Sequence, residues 1–123
     1  MENFELSKQV LQCAFKIYTV LGPGLLESAY QACMIYELRK CSLSIEVEKP
    51  LPLVYEEVKL DCGYRMDIVV LNSLILEIKS VEALAPIHTA QMITYLKLTG
   101  LRSGLLLNFN VVSLKNGIKR ISF

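Results

Sequence analysis

The apolar positions of this chain keep a helical rhythm over the first forty residues and again around residue 90, and a strand rhythm elsewhere. Over residues 3–20, Val10, Leu11, Ala14, Phe15, Ile17 and Tyr18 recur at helical spacing up to Leu21, and Gly22-Pro23 supplies a stop. A second helix is predicted from Gly24 or Leu25 to about Lys40. Leu26, Ala29, Cys33 and Tyr36 share one side of it, and Arg39-Lys40 suit its last turn, where the helix dipole favours cations.

From Leu43 to Lys79 the period drops to two. SIEVEKPLPLVYEEVKL alternates apolar with polar residues, which predicts short antiparallel strands, and Pro50 and Pro52 hold that segment to a sheet edge or bend. Asp61-Cys62-Gly63 reads as a turn. Residues 64–71 and 74–79 read as two strands joined at Asn72-Ser73, apolar on both faces and so central in the sheet. A third helix starts near Pro86, suited to a first turn, and ends near Gly100, suited to a C′ position. Strands over residues 103–109 and 117–123 close the chain. This order predicts a mixed α/β (α+β) fold, and 123 residues suffice for one core, so a single domain over 1–123 is expected.

Composition narrows the class without naming a partner. A hydrophobic content of 53% against 20% charged residues argues against disorder and is compatible with apolar surface shared in a homodimer. No uncharged stretch reaches the roughly 18 residues that cross a bilayer, and MENFELSKQV lacks a signal-peptide pattern, so a soluble, cytoplasmic protein with no membrane partner is expected. Cys13, Cys33, Cys41 and Cys62 form no CxxC pair, and His88, the single histidine, completes no ordinary zinc site with them. They read as reduced and mostly buried. A net charge of +1 decides nothing about nucleic acid, because backbone binding needs a local basic cluster.

One chemical oddity lies in the run IVVLNSLILEIKS. Glu77 and Lys79, two residues apart, project to one face of a strand that otherwise reads as core. Asp67 lies ten residues before Glu77, and the two acids can share that face only if the hairpin between them has an odd-length loop centred on Asn72. A two-residue Asn72-Ser73 turn would put them on opposite faces. The bland reading is a solvated face whose exposed pairs contribute about 0–1 kcal/mol. Against it, charges among Ile68, Val69, Val70, Leu74, Ile75 and Leu76 are costly unless paired or metal-bound. Two carboxylates about 5 Å apart repel by roughly 3 kcal/mol at an effective dielectric near 20, a repulsion that a divalent cation reverses. Hard oxygen donors suit Mg²⁺ or Mn²⁺, and a neighbouring lysine can hold a water aimed at phosphorus.

Asp67 followed by Glu77-Ile78-Lys79 on the next strand resembles the D-(x)n-(D/E)xK signature of the PD-(D/E)xK nuclease-like superfamily, with Met66 where the eponymous proline often sits. Gly24-Leu25-Leu26-Glu27-Ser28-Ala29-Tyr30 resembles the GxxExxY motif of a small family within it. The similarity extends through Lys49-Pro50, Tyr55, the helix HTAQMITYLKLTG, GLLLNFN and the closing GIKR.

The resemblance implies a restriction-endonuclease-like core, a central mixed β-sheet flanked by helices, and a metal-dependent nuclease-like phosphodiesterase acting on DNA or RNA. It implies Asp67 and Glu77 as metal ligands for Mg²⁺ or Mn²⁺, Lys79 as the catalytic lysine, and Glu27 approaching the metal directly or through water. Glu27 and Tyr30 share a helical face, so both can look at one site; the bland reading of Glu27 is a first-turn acid complementing the helix dipole. Gln91 and Tyr95 match a QxxxY motif of other branches of the superfamily. His88, Gln91 and Tyr95 lie within about 60° on one helix and can form a polar stripe, Gln91 at the phosphate or water, Tyr95 and His88 beside the substrate; the bland reading is a half-buried flank.

Lys49, Arg65, Lys97, Arg102, Lys119 and Arg120 are the basic candidates for a nucleic-acid backbone. Tyr18, Tyr36, Tyr55, Tyr64 and Phe109 are the aromatic candidates for stacking, with core packing expected for most. The rival reading is a catalytically silent binding or regulatory module on the same fold.

Overall fold

The computed structural model describes residues 3–61 and 63–123. Its elements run α1 (Asn3–Leu21), α2 (Glu27–Lys40), β1 (Ile45–Pro50), β2 (Leu53–Tyr55), β3 (Val58–Leu60), β4 (Arg65–Val70), β5 (Leu74–Lys79), α3 (Pro86–Thr99), β6 (Ser103–Asn108), a 3₁₀ turn (Leu114–Gly117) and β7 (Ile118–Ser122). Five strands form one sheet in the order β1-β4-β5-β6-β7, while β2 and β3 pair only with each other. All neighbours are antiparallel except β5 and β6, which α3 joins as a parallel crossover. The sheet is therefore mixed and flanked by helices, the restriction-endonuclease-like arrangement implied by the motifs.

Each face of the sheet has its own core. On one side Leu6, Val10 and Ala14 of α1 and Tyr30, Met34 and Leu38 of α2 pack on Ile68, Val70, Leu76, Ile78, Leu105 and Leu107. On the other, Met92, Tyr95 and Leu96 of α3 pack on Val69, Ile75, Leu106 and Ile121. Cover on both faces explains why β5 reads as continuous core, its residues from Leu74 to Ile78 all buried. Pro50 ends the edge strand β1, where the missing donor costs no ladder bond. Helix α2 starts at Glu27, later than the apolar pattern predicts, because Leu26 is still extended at ψ 151°.

The expected two-residue turn at Asn72-Ser73 is replaced by Leu71-Asn72-Ser73, with Leu71 at φ 51°, Asn72 at φ 50° and a Ser73 N–H donating to Val70 O at 2.9 Å. The turn expected at Asp61-Cys62-Gly63 includes Cys62, which lies outside the described residues. The cysteines are less buried than expected: Cys13 is buried, but Cys33 is half-buried and Cys41 exposed. No helix among the described residues is long and apolar enough to cross a membrane.

Helix α3 approaches β6 closely because Gly104 has no side chain; a Cβ there would collide with the Met92 thioether. Gly104→Ala is expected to cost about 1–3 kcal/mol in urea unfolding, as overpacking does. Because the clash is with one side chain, the double variant with Met92→Ala should lose at least about 0.5 kcal/mol less than the sum of the single variants, and strict additivity would overturn this account.

Candidate active site

The site lies where β4 and β5 stop pairing as strands. Their register, Ile68 with Leu76, Val69 with Ile75 and Val70 with Leu74, continues to Asp67 opposite Glu77. This is the parity that an odd-length loop imposes, and it puts both acids on the face covered by α3. At that point carboxylates replace strand carbonyls as acceptors. The Asp67 N–H donates to Glu77 Oε2 at 2.8 Å, and the Ile78 N–H donates to Asp67 Oδ2 at 2.7 Å. Each side chain is thereby locked by one oxygen while the other makes no hydrogen bond among the described residues. On its other flank, Asp67 faces a gap in the β1–β4 ladder, which runs from Val47–Ile68 to Lys49–Met66 and skips Glu48. Glu48 there takes φ 49°, a conformation that costs an L-residue about 1–2 kcal/mol.

Burial decides the electrostatics. Glu77 is 5% exposed, and burial first, then the Asp67 charge, push its carboxyl up to about 7. The Asp67 N–H and the Lys79 ammonium pull it back without prevailing. Asp67 is also raised, by burial most of all, with the Ile78 N–H and Lys79 opposing and the charges of Glu27 and Glu48 adding. Lys79, half-buried, follows Glu77 on the same face of β5 and lies within the field of both acids.

Glu27 approaches from the other side of the sheet, and the GxxExxY segment explains how. Gly24 takes φ 100°, open to glycine. The Tyr30 hydroxyl donates to Gly22 O and accepts from the Leu25 N–H at 3.2 Å, pinning the loop before α2. Its ring stacks on Phe109 at 4.4 Å and 8°, and the Phe109 N–H donates to Lys79 O at 3.0 Å. Glu27 Oε2 accepts from the Ser80 N–H at 3.2 Å, and Ser80 Oγ donates to Leu25 O at 2.6 Å.

One expectation is corrected here. Tyr30 is fully buried with its hydroxyl committed to the loop, so it positions Glu27 and does not reach a substrate. Glu27, expected at the metal directly or through water, bonds the Ser80 N–H and lies within the field of both acids, while no three His, Cys, Asp or Glu among the described residues converge as a metal cluster.

Helix α3 contributes Gln91 and Tyr95 to a cleft of about 310 Å³ whose walls also include Leu51, Tyr64 and Ile87. Burial raises the Tyr95 hydroxyl to about 12, with further contributions from the charges of Glu77, Asp67 and Tyr64, so the cleft adjoins the acid pair and Tyr95 stays a proton donor. His88 does not line this cleft. Its Nδ1 accepts from the Ala85 N–H at 2.9 Å and caps its own helix, which corrects the three-residue stripe to two. The expectation of core packing for most of the aromatic candidates is likewise corrected, since Phe109 is buried while Tyr36, Tyr55 and Tyr64 are exposed.

Sequence reasoning missed two residues. Asn108, 1% exposed, accepts from the Val81 N–H at 3.1 Å and donates to Val81 O at 3.0 Å, holding the chain just past Lys79. Its signal was one amide in the apolar run LLLNF. Glu48 is the other, a further acid in the field of Asp67, signalled only by its place before Lys49-Pro50.

The raised Glu77 carboxyl makes stability depend on pH in a definite direction. The folded state keeps that proton to about pH 7, whereas the unfolded chain releases it near 4.5. The folded state thus binds more protons in this window, and the contribution is full below 4.5 and lost as pH rises through 7. The loss is on the order of 3 kcal/mol. In chelator, wild-type unfolding free energy should fall across that window relative to Glu77→Gln, which keeps an acceptor for the Asp67 N–H but cannot titrate. Parallel pH profiles for the two proteins would refute the assignment.

Comparison with known proteins agrees with this geometry. Neither the curated proteins nor the solved structures contain a match to the chain. The family model described as PD-(D/E)XK nuclease superfamily matches residues 4–121, which spans both motif segments and reaches into every strand of the sheet. The chain therefore belongs to the PD-(D/E)XK nuclease superfamily.

Proposed function

We propose that this protein is a metal-dependent phosphodiesterase that hydrolyses nucleic acid. The observation that carries this reading is the facing pair Asp67 and Glu77, locked by backbone N–H groups at the end of two buried strands, with Lys79 on the same side. Two hard carboxylates, each with one uncommitted oxygen, both raised by burial and Glu77 also by the Asp67 charge, fit an ion that takes one or two carboxylates and keeps waters, as Mg²⁺ does. Mg²⁺ or Mn²⁺ held there would neutralise charge on the phosphoryl oxygens and make a bound water more acidic.

The chain's own groups do the rest. Lys79 holds the attacking water and stabilises the hydroxide character it acquires as its oxygen bonds to phosphorus and the P–O ester bond breaks; the proton the water loses passes to solvent, and the leaving oxygen takes one up from solvent. Glu27, fixed by Ser80, orders water at the edge of the acid pair. Tyr95 and Gln91 donate hydrogen bonds to substrate oxygen from the cleft, and exposed Arg65, two residues before Asp67, meets the neighbouring phosphate. The half-exposed ring of Tyr64, on the wall of the same cleft, offers a stacking surface for an unpaired base.

Labelled single- and double-stranded DNA and RNA incubated with Mg²⁺ or Mn²⁺ test the reading. Cleavage should fall at least about 100-fold in Glu77→Ala and Lys79→Ala. Cleavage that survives both substitutions would sink the mechanism, and metal binding with no cleavage of any substrate would favour a silent binding module. Tyr64→Ala should weaken binding of single strands roughly tenfold and of blunt duplex far less. Equal effects on both would exclude stacking at that wall.

A further inference from the structure

At the opposite end of α2 from Glu27, two thiols face each other across the α1–α2 interface. Cys13 Sγ of α1 and Cys41 Sγ, at the C-cap of α2, are 3.9 Å apart. Cys13 is 4% exposed, whereas Cys41 is open to solvent. Both line one open cleft of about 510 Å³, together with Lys16, Glu37 and Lys40.

We propose that Cys13 and Cys41 are a reversible disulfide site, oxidised by low-molecular-weight disulfides that enter this cleft. The asymmetry of the pair sets the order of events. Exposed Cys41 reacts first: its thiolate attacks one sulfur of the small disulfide, forms a mixed disulfide and releases one small thiol, which takes up the proton that Cys41 lost. Cys13 then attacks Cys41 Sγ, the mixed S–S bond breaks, the Cys13–Cys41 bond forms, and the second small thiol leaves with the Cys13 proton. The protein loses two hydrogens and the small disulfide gains them.

Two features make this a slow exchange with a stable product. Burial, the Cys41 contact and Glu37 push the Cys13 thiol up to about 11, with Lys16 opposing, so the resolving thiolate is scarce. Once formed, the bond closes a loop from residue 13 to residue 41 that contains most of the α1–α2 hairpin. It joins the helices roughly 20 Å along α2 from Glu27, at about 1.5 Å per residue, so it clamps the scaffold without touching the acid pair.

The test is equilibration of the full chain in glutathione buffers of rising oxidised fraction, followed by acid quench, intact mass and peptide mapping. The expected product is two hydrogens lighter than the reduced chain, with one cross-linked peptide pair joining Cys13 to Cys41. Its melting temperature should be roughly 5–15 °C higher, and dithiothreitol should reverse the change. Cys41→Ser, at an exposed position, should abolish the link and the thermal shift, whereas Cys33→Ser should leave both intact. A stable glutathione adduct on Cys41 with Cys13 still reduced would overturn the proposal, as would a cross-link from Cys41 to Cys33 or Cys62.

Discussion

Asp67 and Glu77 each do the work of a strand carbonyl, accepting a hydrogen bond from backbone on the opposite strand, and the rest of the site follows from that substitution. A carboxylate is longer than a carbonyl, so β4 and β5 must part where the exchange occurs, and both ladders beside Asp67 are interrupted there. The exchange keeps the N–H groups satisfied in a buried sheet, where an orphaned donor would cost about 1–3 kcal/mol. It also fixes two carboxyl groups side by side, each with one oxygen making no hydrogen bond among the described residues. Burial raises both carboxyls, and one lysine does not compensate. Structural satisfaction and electrostatic deficit thus arise from the same two bonds.

Much of this could be read from residue order. Both face-sharing of Glu77 with Lys79 and the need for an odd hairpin loop follow from strand periodicity, and the helices follow from apolar spacing and the Pro86 and Gly100 punctuation. What escaped was conformation that propensity disfavours. Leu71 in the left-handed region is a poor guess for any turn, so Asn72-Ser73 drew the turn to itself, although only three residues give the observed register. Glu48 escaped for the same reason. The parallel pairing of β5 with β6 follows from the strand–helix–strand order through α3, whereas the close approach of α3 at Gly104 has no local signature.

Tyrosine and histidine misled in a different way, through having two plausible ends. Tyr30 shares a helical side with Glu27, which fits a substrate contact as well as an anchor. Its hydroxyl satisfies the loop before α2, and its ring stacks on Phe109. The motif therefore couples one residue at the site to one that holds it there, through the chain of contacts from Gly22 by way of Tyr30 and Phe109 to the Lys79 carbonyl. His88 resolves similarly, because the N-terminus of α3 has unsatisfied N–H groups and no Ser, Thr, Asp or Asn at its cap.

Charge then constrains the order in which the site can be filled. Asp67 feels Glu27 and Glu48, Glu77 feels Asp67 and Glu27, and Lys79 lowers both carboxyls. A phosphodiester brought to this surface alone meets a net negative field, and each unit charge about 5 Å away opposes it by roughly 3 kcal/mol at an effective dielectric near 20. On the proposed reading a divalent cation must therefore precede the nucleic acid, because the same oxygens that repel phosphate attract the ion. Cation binding also expels the proton that Glu77 retains up to about pH 7, so affinity for the ion should strengthen as pH rises through that value. On that reading metal and proton compete for one pair of carboxyls, whose geometry is set by two backbone hydrogen bonds in a buried sheet.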